Sequence, residues 1–462
     1  MRTDRSRRQF FRRALGAGAV TVLAAGVDAT PVGYVNVKDA PYHARGDGVS
    51  DDTAAIQAAI DAAAQVYVPT GRYRVSSLRL RSGIHLAGSG PDAVLVHSSD
   101  VCLLTAESPG ANSFVDDITL RQLQLLGDVL ASGFREHTHL VAVMGVRRLK
   151  IKNCVLRGFR GDGLYLGGVN SLGDSERHNL DVTVQGCKFD GLNSDNRNAI
   201  SIIDGDGVLV RGNHFHDCTR ADMPGAVDIE PNEQAFHVVR NITVADNVFK
   251  HIGGNVGAVA VVLAGHAYTR HPSGFEIANN HIDGCSAAGI SFVNQPAGGV
   301  GSDTPSHRLV VRDNTVVNAA RGFGLTGVIG ARLENNDISD MRGSNIGYLP
   351  ADMRCRDVRL LSNRFLRCGS VGGVGLVAFT VDELLLESNR FEDCGFGGPG
   401  SYALDFHTGT SANVAIIGNT FIAPTGRTLV AIQKEAGHVF TPATNTFSGN
   451  ELNGLPSYFQ AG

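Results

Sequence analysis

The chain has 462 residues, 43% of them hydrophobic and 19% charged, with 41 basic and 45 acidic side chains and a net charge of −4. Residues 1–29 carry a net charge of +4, which leaves the remainder at −8 and without a basic run, so nucleic acid is excluded as a partner. The absence of Trp, with only 9 Tyr, excludes a broad aromatic platform for stacking sugars, and 57 Gly with low charge indicate a turn-rich β protein.

The first 29 residues have the pattern of a targeting segment. Arg7 and Arg8 precede two Phe and an Ala/Gly/Val run, and Val27-x-Ala29 has the small residue of a cleavage site. This pattern resembles a bacterial twin-arginine signal peptide. The apolar run is too short and too rich in Gly and Ala to be a stable membrane anchor. We therefore expect a bacterial protein exported by the twin-arginine route, periplasmic or secreted.

Residues 50–64 form the one segment with a helical pattern. Hydroxyl and acidic residues can cap its start, and Ile56 and Ile60 fall on one apolar face. We expect this helix to cover the open first coil of the repeat that follows, because an uncovered strand edge exposes hydrogen-bonding groups. Residues 30–90 are accordingly assigned to an N-terminal cap and the first coils.

A strand-like segment followed by Asn or Cys, one free position and an apolar residue recurs along the chain, as in VLVRGNHF (208–215) and LLLESNRF (384–391). After each copy comes a second short strand. A repeat of this length with alternating apolar residues predicts one coil of a solenoid. The Asn or Cys of each copy forms one column: Cys154, Cys187, Asn213, Asn247, Asn280, Asn314, Asn336, Asn363, Asn389 and Asn419.

The two strands of each coil are joined by turns, so consecutive coils pair in parallel. This predicts an all-β fold, a single-stranded parallel β-helix of about 11 coils, whose first coils lie within residues 30–90 and which continues over residues 91–435. The rhythm breaks after residue 436, where we expect a C-terminal cap over residues 436–462. The Asn of each repeat is expected to turn the chain, because Asn tolerates the left-handed backbone conformation.

The cysteines follow the same geometry. Four of them lie three residues after the apolar residue that re-enters the interior, at Cys218, Cys285, Cys368 and Cys394. We interpret them as small buried hydrophobic residues rather than as disulfides. The chain contains no CxxC pair and no metal-binding cysteine spacing.

Outward side chains of the second strands line up across stacked coils, about 4.8 Å apart. On three consecutive coils these positions and their flanks are polar, whereas small residues occupy most of the others. About 10 Å separates the first coil from the third, so the polar residues can face one sugar unit. The predicted site comprises Asp162, Tyr165, Asp195, Arg197, Asn198, Ser201, Asp228, Glu230 and Asn232.

Asp228 and Glu230 are the strongest catalytic candidates, because residues two apart on a strand share a face. Their proximity raises one pKa, as a general acid requires, and side-chain rotation allows the carboxyl separation of a retaining or an inverting glycosidase. Arg197 can hold a substrate carboxylate or act with Tyr165 in β-elimination. The alternative is that the two carboxylates bind loop backbone or a calcium ion. No other metal or cofactor is expected.

Two further polar groups stand out along the chain. Asp405 and His407 lie about six coils further along, near 29 Å from Asp228, and are interpreted as a solvated pair on a strand. His137 and His139 alternate after Glu136 and are interpreted as surface histidines rather than as a metal site.

The segments VNVKDAPYHARGDGVSDDTAAIQAAIDAA (35–63) and VYVPTGRYRVSSLRLRSGIHLAGSG (66–90) resemble the opening of the pectate-lyase-like β-helix superfamily. Its members include family 28 polygalacturonases, rhamnogalacturonases, mannuronan C-5 epimerases and phage tailspikes. The resemblance implies a right-handed helix with a polysaccharide bound along its outside. It does not select the reaction, because the fold hosts hydrolases, lyases, epimerases and binding proteins.

The catalytic motifs of the polygalacturonases are not reproduced: Asn193-Ser194-Asp195 is present, but no Gly-His-Gly and no Arg-Ile-Lys follow. Arg197 occupies the position of the Arg in one epimerase stretch. We expect an exported enzyme that acts on an acidic or complex polysaccharide as a glycoside hydrolase or a lyase. Its catalytic residues would be Asp228, Glu230 and Arg197. The alternatives are a non-catalytic glycan-binding β-helix and a uronan C-5 epimerase.

Overall fold

A computed structural model describes residues 29–110, 113–168, 177–232, 234–264, 268–295, 303–346, 354–369, 373–441 and 445–458. The predicted signal peptide, residues 1–29, therefore lies outside the described residues except for its last position. The described chain is an all-β parallel solenoid, which confirms the predicted β-helix. None of its helices is long and apolar enough to cross a membrane.

One long sheet contains the strands that lead into the repeated Asn or Cys. All of its neighbouring strands pair in parallel, coil on coil. Within the described ranges its strands are Val35–Asn36, Gln65–Val68, His85–Gly88, Val115–Asp116, Thr119–Arg121, Val146–Arg147, Lys150–Lys152, Leu180–Gln185, Gly205–Arg211, Val239–Ala245, Ser273–Ala278, Leu309–Arg312, Ile329–Glu334, Cys355–Leu361, Val381–Glu387, Gly409–Ile417, His438–Phe440 and Thr446–Ser448.

The second sheet contains the strands that follow the Asn or Cys, and it positions the site. Its described strands are Asp47–Asp51, Gly71–Val75, Leu78–Arg79, Ala93–His97, Leu104–Glu107, Gln124–Leu126, Val141–Met144, Val155–Arg157, Leu164–Gly167, Lys188–Asp190, Ile200–Ile202, His214–His216, Val227–Ile229, Val248–Ile252, Gly257–Ala264, His281–Gln295, Thr315–Thr326, Asp337–Ser339, Ser344–Ile346, Arg364–Leu366, Val374–Ala378, Arg390–Glu392, Tyr402–Phe406, Thr420–Ile422 and Val430–Lys434.

Helix is rare in this chain. The main helix, Thr53–Ala62, lies within the predicted segment, and the buried side chains of Ile56, Ala59 and Ile60 join the core. A single helical turn spans Val129–Ser132. The role of the longer helix as a cap remains a prediction.

The solenoid has about 13 turns, so the prediction of about 11 coils was too low. The reason is visible in the register, where Val155 pairs with Gln124. Leu123 therefore occupies the column position that Cys154 fills one coil later. Because the first coils carry apolar residues in this column, the Asn or Cys pattern does not detect them.

The asparagine column is a buried hydrogen-bonded ladder. Asn247 Oδ1 accepts a hydrogen bond from the Asn213 backbone N–H at 2.9 Å, and Asn247 Nδ2 donates to the Val210 carbonyl at 3.0 Å. The same pattern recurs from Asn213 to Asn419. Each amide thus satisfies backbone groups of the neighbouring coils that would otherwise be buried without partners.

The ladder asparagines do not themselves adopt the left-handed conformation, and this prediction was wrong. The positive φ belongs to the residue immediately before each one, such as Gly212 at 65°, Asp246 at 57° and Asn279 at 52°. The preceding residue makes the turn because the ladder amide must point inward to reach its backbone partners. Gly, Asp, Asn and Ser occupy the turn position, and Asn, Asp and Gly are the residues most tolerant of that conformation.

The interior is filled by columns of apolar side chains. Phe189, Phe215 and Phe249 stack with ring centroids 5.0 and 4.6 Å apart. All eight cysteines are free thiols and seven are buried, which confirms their interpretation as small interior residues.

Candidate functional site

The predicted polar row exists and runs across three adjacent strands of the second sheet. Tyr165 pairs with Ser201, and Ser201 pairs with Asp228. Ser201 and Asp228 nevertheless have no exposed surface, so an outward position on this sheet is not a solvated one. Asn198 lies over both: its Nδ2 donates to Ser201 Oγ at 2.9 Å and to Asp228 Oδ2 at 3.0 Å.

Asp228 and Glu230 form one carboxyl pair. Their carboxyl groups are in hydrogen-bond contact, and no N–H or hydroxyl of the described residues donates to Asp228 Oδ1. Two carboxyl groups can hydrogen-bond only when one of them carries a proton. Burial, followed by the charge of Glu230, raises the pKa of Asp228 well above its ordinary value, and burial also raises the pKa of Glu230. The pair therefore holds a shared proton at a pH where isolated carboxyls are ionised.

The contact between Asp228 and Glu230 changes the expected geometry. A retaining or inverting glycosidase places about 5 to 9.5 Å between its two carboxyl groups, with the sugar between them. Two carboxyl groups that touch cannot flank a sugar ring. In this arrangement the pair offers one acidic group, and a second carboxyl group at glycosidase spacing would have to come from another coil.

Arg197 holds a third carboxylate in the coil before. Its guanidinium lies 3.2 Å from Asp162 Oδ2 and 3.5 Å from Glu136 Oε1. Asp162 is fully buried, and burial raises its pKa to about 6 against the opposing charge of Arg197. The Arg197 side chain keeps 20% of its surface exposed, so a solute can reach it from the outer face.

Tyr165 is held by a ring stack. The His139 ring lies parallel to it, with centroids 4.5 Å apart and planes at 3°. His139 Nδ1 accepts the Asp162 backbone N–H at 3.0 Å, and burial, followed by the charge of Arg197, lowers its pKa to about 3. His139 is therefore neutral, and its 3.3 Å contact with the Asp162 carboxyl is not an ion pair.

The interpretation of His139 as a surface residue was wrong, since it is 4% exposed and packed under the site. His137, two residues earlier, is exposed as predicted. The strand pairing explains why His139 is buried. Ala142 pairs with Tyr165, so the segment just before the strand Val141–Met144, which contains His139, crosses the polar row.

Two predicted binding residues lie at the edges. Asn232 is exposed and its side chain hydrogen-bonds Tyr165, which joins it to the row. Asp195 lies in an exposed turn, where its backbone N–H donates to Asn193 Oδ1 at 2.9 Å. No contact among the described residues brings Asp195 to the carboxyl pair.

Besides His139, two residues of this site were not predicted from the sequence. Glu136 contacts Arg197 from the coil before and is 51% exposed. Tyr268 stands near the other end of the row, where burial and the charge of Glu230 raise its pKa to about 12. Both residues lie in connections between strands, where no alternation of apolar and polar residues predicts which way a side chain points. The alternating histidine motif after Glu136 was the one available hint.

A cleft of about 600 Å³ adjoins the row on its N-terminal side. It crosses the same outer columns, since Thr105 pairs with Ala142 and Ala142 with Tyr165. Arg79 and Glu107 supply charge to its walls. The cleft and the row together form a continuous outer surface over several coils.

The described residues form two His–carboxylate groups spaced for a metal ion, Asp190–His216–Asp217 and Asp405–His407–Glu435. Neither of these two groups contains Asp228 or Glu230.

Asp405 lies in the same column of the second sheet as Asp228. The strand pairing leads from Asp228 to Asp405 in six coil-to-coil steps, as predicted. Asp405 is 2% exposed, which contradicts the expected solvated pair, and burial, followed by the Glu435 charge, raises its pKa to about 6.

The chain is similar over limited stretches to known polysaccharide-modifying enzymes. It is 47% identical over 78 residues to mannuronan C5-epimerases AlgE1 and AlgE4 of Azotobacter vinelandii. These matches cover 14% of this chain, 5% of AlgE1 and 14% of AlgE4, so the chain spans a small part of these relatives. It is also 30% identical over 172 residues to a capsule-specific depolymerase of Klebsiella phage K5-2, covering 33% of this chain and 21% of the relative.

Solved structures share the fold. The A-module of the Azotobacter vinelandii mannuronan C-5 epimerase AlgE6 aligns over 90% of this chain and 98% of its own, with a TM-score of 0.52 and 19% identity. The pre-mature gene product 12 of bacteriophage phi29 aligns over 92% of this chain and 58% of its own, with a TM-score of 0.57 and 16% identity. At such identities the likeness concerns the fold alone.

Two family profiles match the sequence. Rhamnogalacturonase A/epimerase, pectate lyase-like, matches residues 34–102, which confirms the resemblance of the opening segment. The right-handed β-helix region matches residues 139–346 and 272–459, which confirms the predicted hand. Because these two ranges together exceed half of its length, the chain belongs to the right-handed β-helix family of pectate-lyase-like proteins.

Proposed function

We propose that this chain is an exported enzyme that cleaves an acidic or complex polysaccharide on the outer face of its β-helix. The observation that carries the proposal is the pairing of the carboxyl groups of Asp228, which is buried, and Glu230, which is half-buried. A carboxyl pair with raised pKa values supplies a general acid that keeps its proton at a higher pH than an isolated carboxyl group does. Both hydrolysis and β-elimination need such an acid at the leaving glycosidic oxygen.

Within the pair the roles differ by exposure. Asp228 has no exposed surface, whereas Glu230 is half-buried and reaches the outer face. Glu230 is therefore the group that donates the proton to substrate. Asp228, held by Asn198 Nδ2 at 3.0 Å, keeps that proton on the pair by repelling a second negative charge.

Arg197 gives the site a preference for an anionic sugar. Arg197 is the cation between the carboxyl pair and Asp162. The two-pronged guanidinium group of an Arg can bind a substrate carboxylate through two parallel hydrogen bonds. The cleft before Tyr165 provides room for the neighbouring units of a polymer. Polysaccharide is thus the proposed partner.

A second candidate reaction is proton exchange at C-5 of a uronate, as in an epimerase. It is favoured by Tyr165, a half-buried phenol fixed between the His139 ring and Asn232 beside Arg197. Burial and the Asp162 charge raise the pKa of Tyr165, which keeps the phenol protonated and able to donate. In that reaction no glycosidic bond is broken.

The test is a panel of polysaccharides with three readouts for the purified mature chain. Reducing ends report hydrolysis, ultraviolet absorbance of unsaturated uronate reports β-elimination, and proton NMR reports C-5 configuration. New chain ends on a uronate-containing polymer are the expected result. Inversion of the configuration at C-5 without new chain ends would select the epimerase reaction. If the chain binds a polymer but chemically changes none of the polymers in the panel, the proposal is contradicted and a glycan-binding protein is selected.

A further inference from the structure

A second cluster lies far from the polar row, near the C-terminal end of the solenoid. His407 Nδ1 is 3.5 Å from Asp405 Oδ2 and 2.7 Å from Glu435 Oε1. One ligand atom from each residue lies within 4.8 Å of the other two. Ligand atoms around a tetrahedral zinc ion are about 3.4 Å apart, so these three surround a space of the right size after small side-chain shifts.

Asp405 shows that this cluster is more than a surface ion pair. Its side chain is 3% exposed, and nothing among the described residues donates a hydrogen bond to its Oδ1. A buried carboxylate oxygen without a donor is costly, because burial removes the water that would have solvated it. A cation bound between Asp405 and Glu435 would satisfy that oxygen and offset the repulsion between the two carboxylates.

The surroundings hold the candidate ligands in place. The backbone N–H of His407 donates to Ala378 O at 2.9 Å, and that of Glu435 donates to Phe406 O at 3.0 Å. Thr408 Oγ1 donates to the second Glu435 oxygen at 3.3 Å, which orients the carboxylate as outer-shell partners do in metal sites. The Phe379 ring lies edge-on to the His407 ring at 5.1 Å.

We propose that Asp405, His407 and Glu435 form a site for one zinc-type divalent cation that links two neighbouring strands of the second sheet, Tyr402–Phe406 and Val430–Lys434. One imidazole nitrogen with two carboxylates favours zinc over calcium or magnesium, which prefer all-oxygen ligands. Asp405 and Glu435 come from the ends of Tyr402–Phe406 and Val430–Lys434, which pair in parallel. The ion would therefore tie together adjacent coils, about 29 Å from the polar row.

The test is equilibrium dialysis of the EDTA-treated full chain against ZnCl₂, followed by thermal unfolding. We expect one zinc ion per chain and a higher melting temperature with zinc than with calcium or magnesium. Co²⁺ should give a d–d absorption band that zinc removes. His407→Ala should abolish the binding, and Thr408→Val should weaken it about tenfold, as loss of an outer-shell partner does.

His216→Ala is the matched control, because His216 belongs to the other His–carboxylate group. It should leave the zinc stoichiometry unchanged. Glu435→Gln tests the site by a conservative change if His407→Ala unfolds, and circular dichroism of each metal-free variant checks the fold. Absence of zinc uptake at millimolar concentration, uptake that survives both His407→Ala and Glu435→Gln, or uptake lost in His216→Ala would overturn the proposal.

Discussion

Asn198 Nδ2 donates a 3.0 Å hydrogen bond to Asp228 Oδ2, and this contact spans two adjacent coils. The backbone N–H of the same Asn198 donates to Asp162 Oδ1 at 3.2 Å. One residue thus connects the carboxyl pair to the buried carboxylate beneath Arg197. The two acidic groups of the polar row are consequently fixed relative to each other by the coil between them.

Asn198→Asp is expected to lower activity by about 10 to 100-fold, because it replaces a donor to Asp228 with a third carboxylate. The alkaline limb of the pH–activity profile should move to higher pH, since the pair releases its proton less readily. The measurement is kcat against pH for both chains. Asn193→Asp, in the exposed turn nearby, should match the wild type. An unshifted limb in Asn198→Asp would show that Asn198 does not tune the pair.

Arg197→Lys should raise KM for a uronate polymer about tenfold while changing kcat less. Lysine keeps the charge but loses the guanidinium fork, whose Nη1 donates to both oxygens of Asp162 and which can bind a substrate carboxylate. Steady-state kinetics on an acidic and a neutral polymer checks this. A loss of the same size on both polymers would mean that Arg197 serves the fold of the site rather than the recognition of an anion.

The loss of the proton from Asp162 should lower the free energy of unfolding as pH rises. Its pKa is about 6 in the folded chain against an ordinary value of 3.8, so between these values the folded chain keeps a proton that the unfolded chain has lost. The free energy of unfolding therefore decreases as pH rises through this window, by roughly 3 kcal/mol in total.

Asp162→Asn should remove that part of the pH dependence. His139, with its pKa lowered to about 3, acts in the opposite direction, because acid favours the unfolded form that binds its proton. Urea unfolding of both chains at the same series of pH values separates the two contributions. Parallel curves for the wild type and Asp162→Asn between about pH 4 and pH 7 would contradict the assignment.

Asn247→Ala should destabilise the solenoid by about 2 to 5 kcal/mol. It leaves the Asn213 N–H and the Val210 carbonyl buried without partners. The urea midpoint is the measurement. Asn279→Gly is the matched control, since Asn279 is exposed with a φ of 52° that glycine adopts without strain. Equal midpoints for the two variants would show that the ladder contributes little.

The parts of the fold that repeat were predictable, and the parts that occur once were not. Alternation and the Asn or Cys column predicted the two strands per coil, the parallel pairing and the row from Tyr165 to Asp228. The left-handed residue was assigned one position too late, because a sequence repeat does not show which of two adjacent polar residues turns the chain. The first coils were undercounted because Leu123 replaces the marker residue.

Burial of the site lay beyond the sequence for a physical reason. Strand alternation predicts from which face of the sheet a side chain projects, but not which residues cover that face. Asp228 and Asp405 both point outward from the second sheet and are both buried. Asn198, from the connection before the strand Ile200–Ile202, lies over Asp228. His139 and Glu136 enter the site from such connections, whose paths depend on packing between coils.

The most direct test of the carboxyl pair is the activity of Asp228→Asn/Glu230→Gln on the polymer that the wild-type chain cleaves. We expect a loss of about 100 to 10,000-fold, the range for removal of a general acid. Glu230→Gln alone should account for most of it, because Glu230 is the exposed member. Glu276→Gln, a carboxylate on the other sheet paired with Arg312, should cleave at the wild-type rate. Cleavage by the folded double variant at near the wild-type rate would contradict the role of the pair.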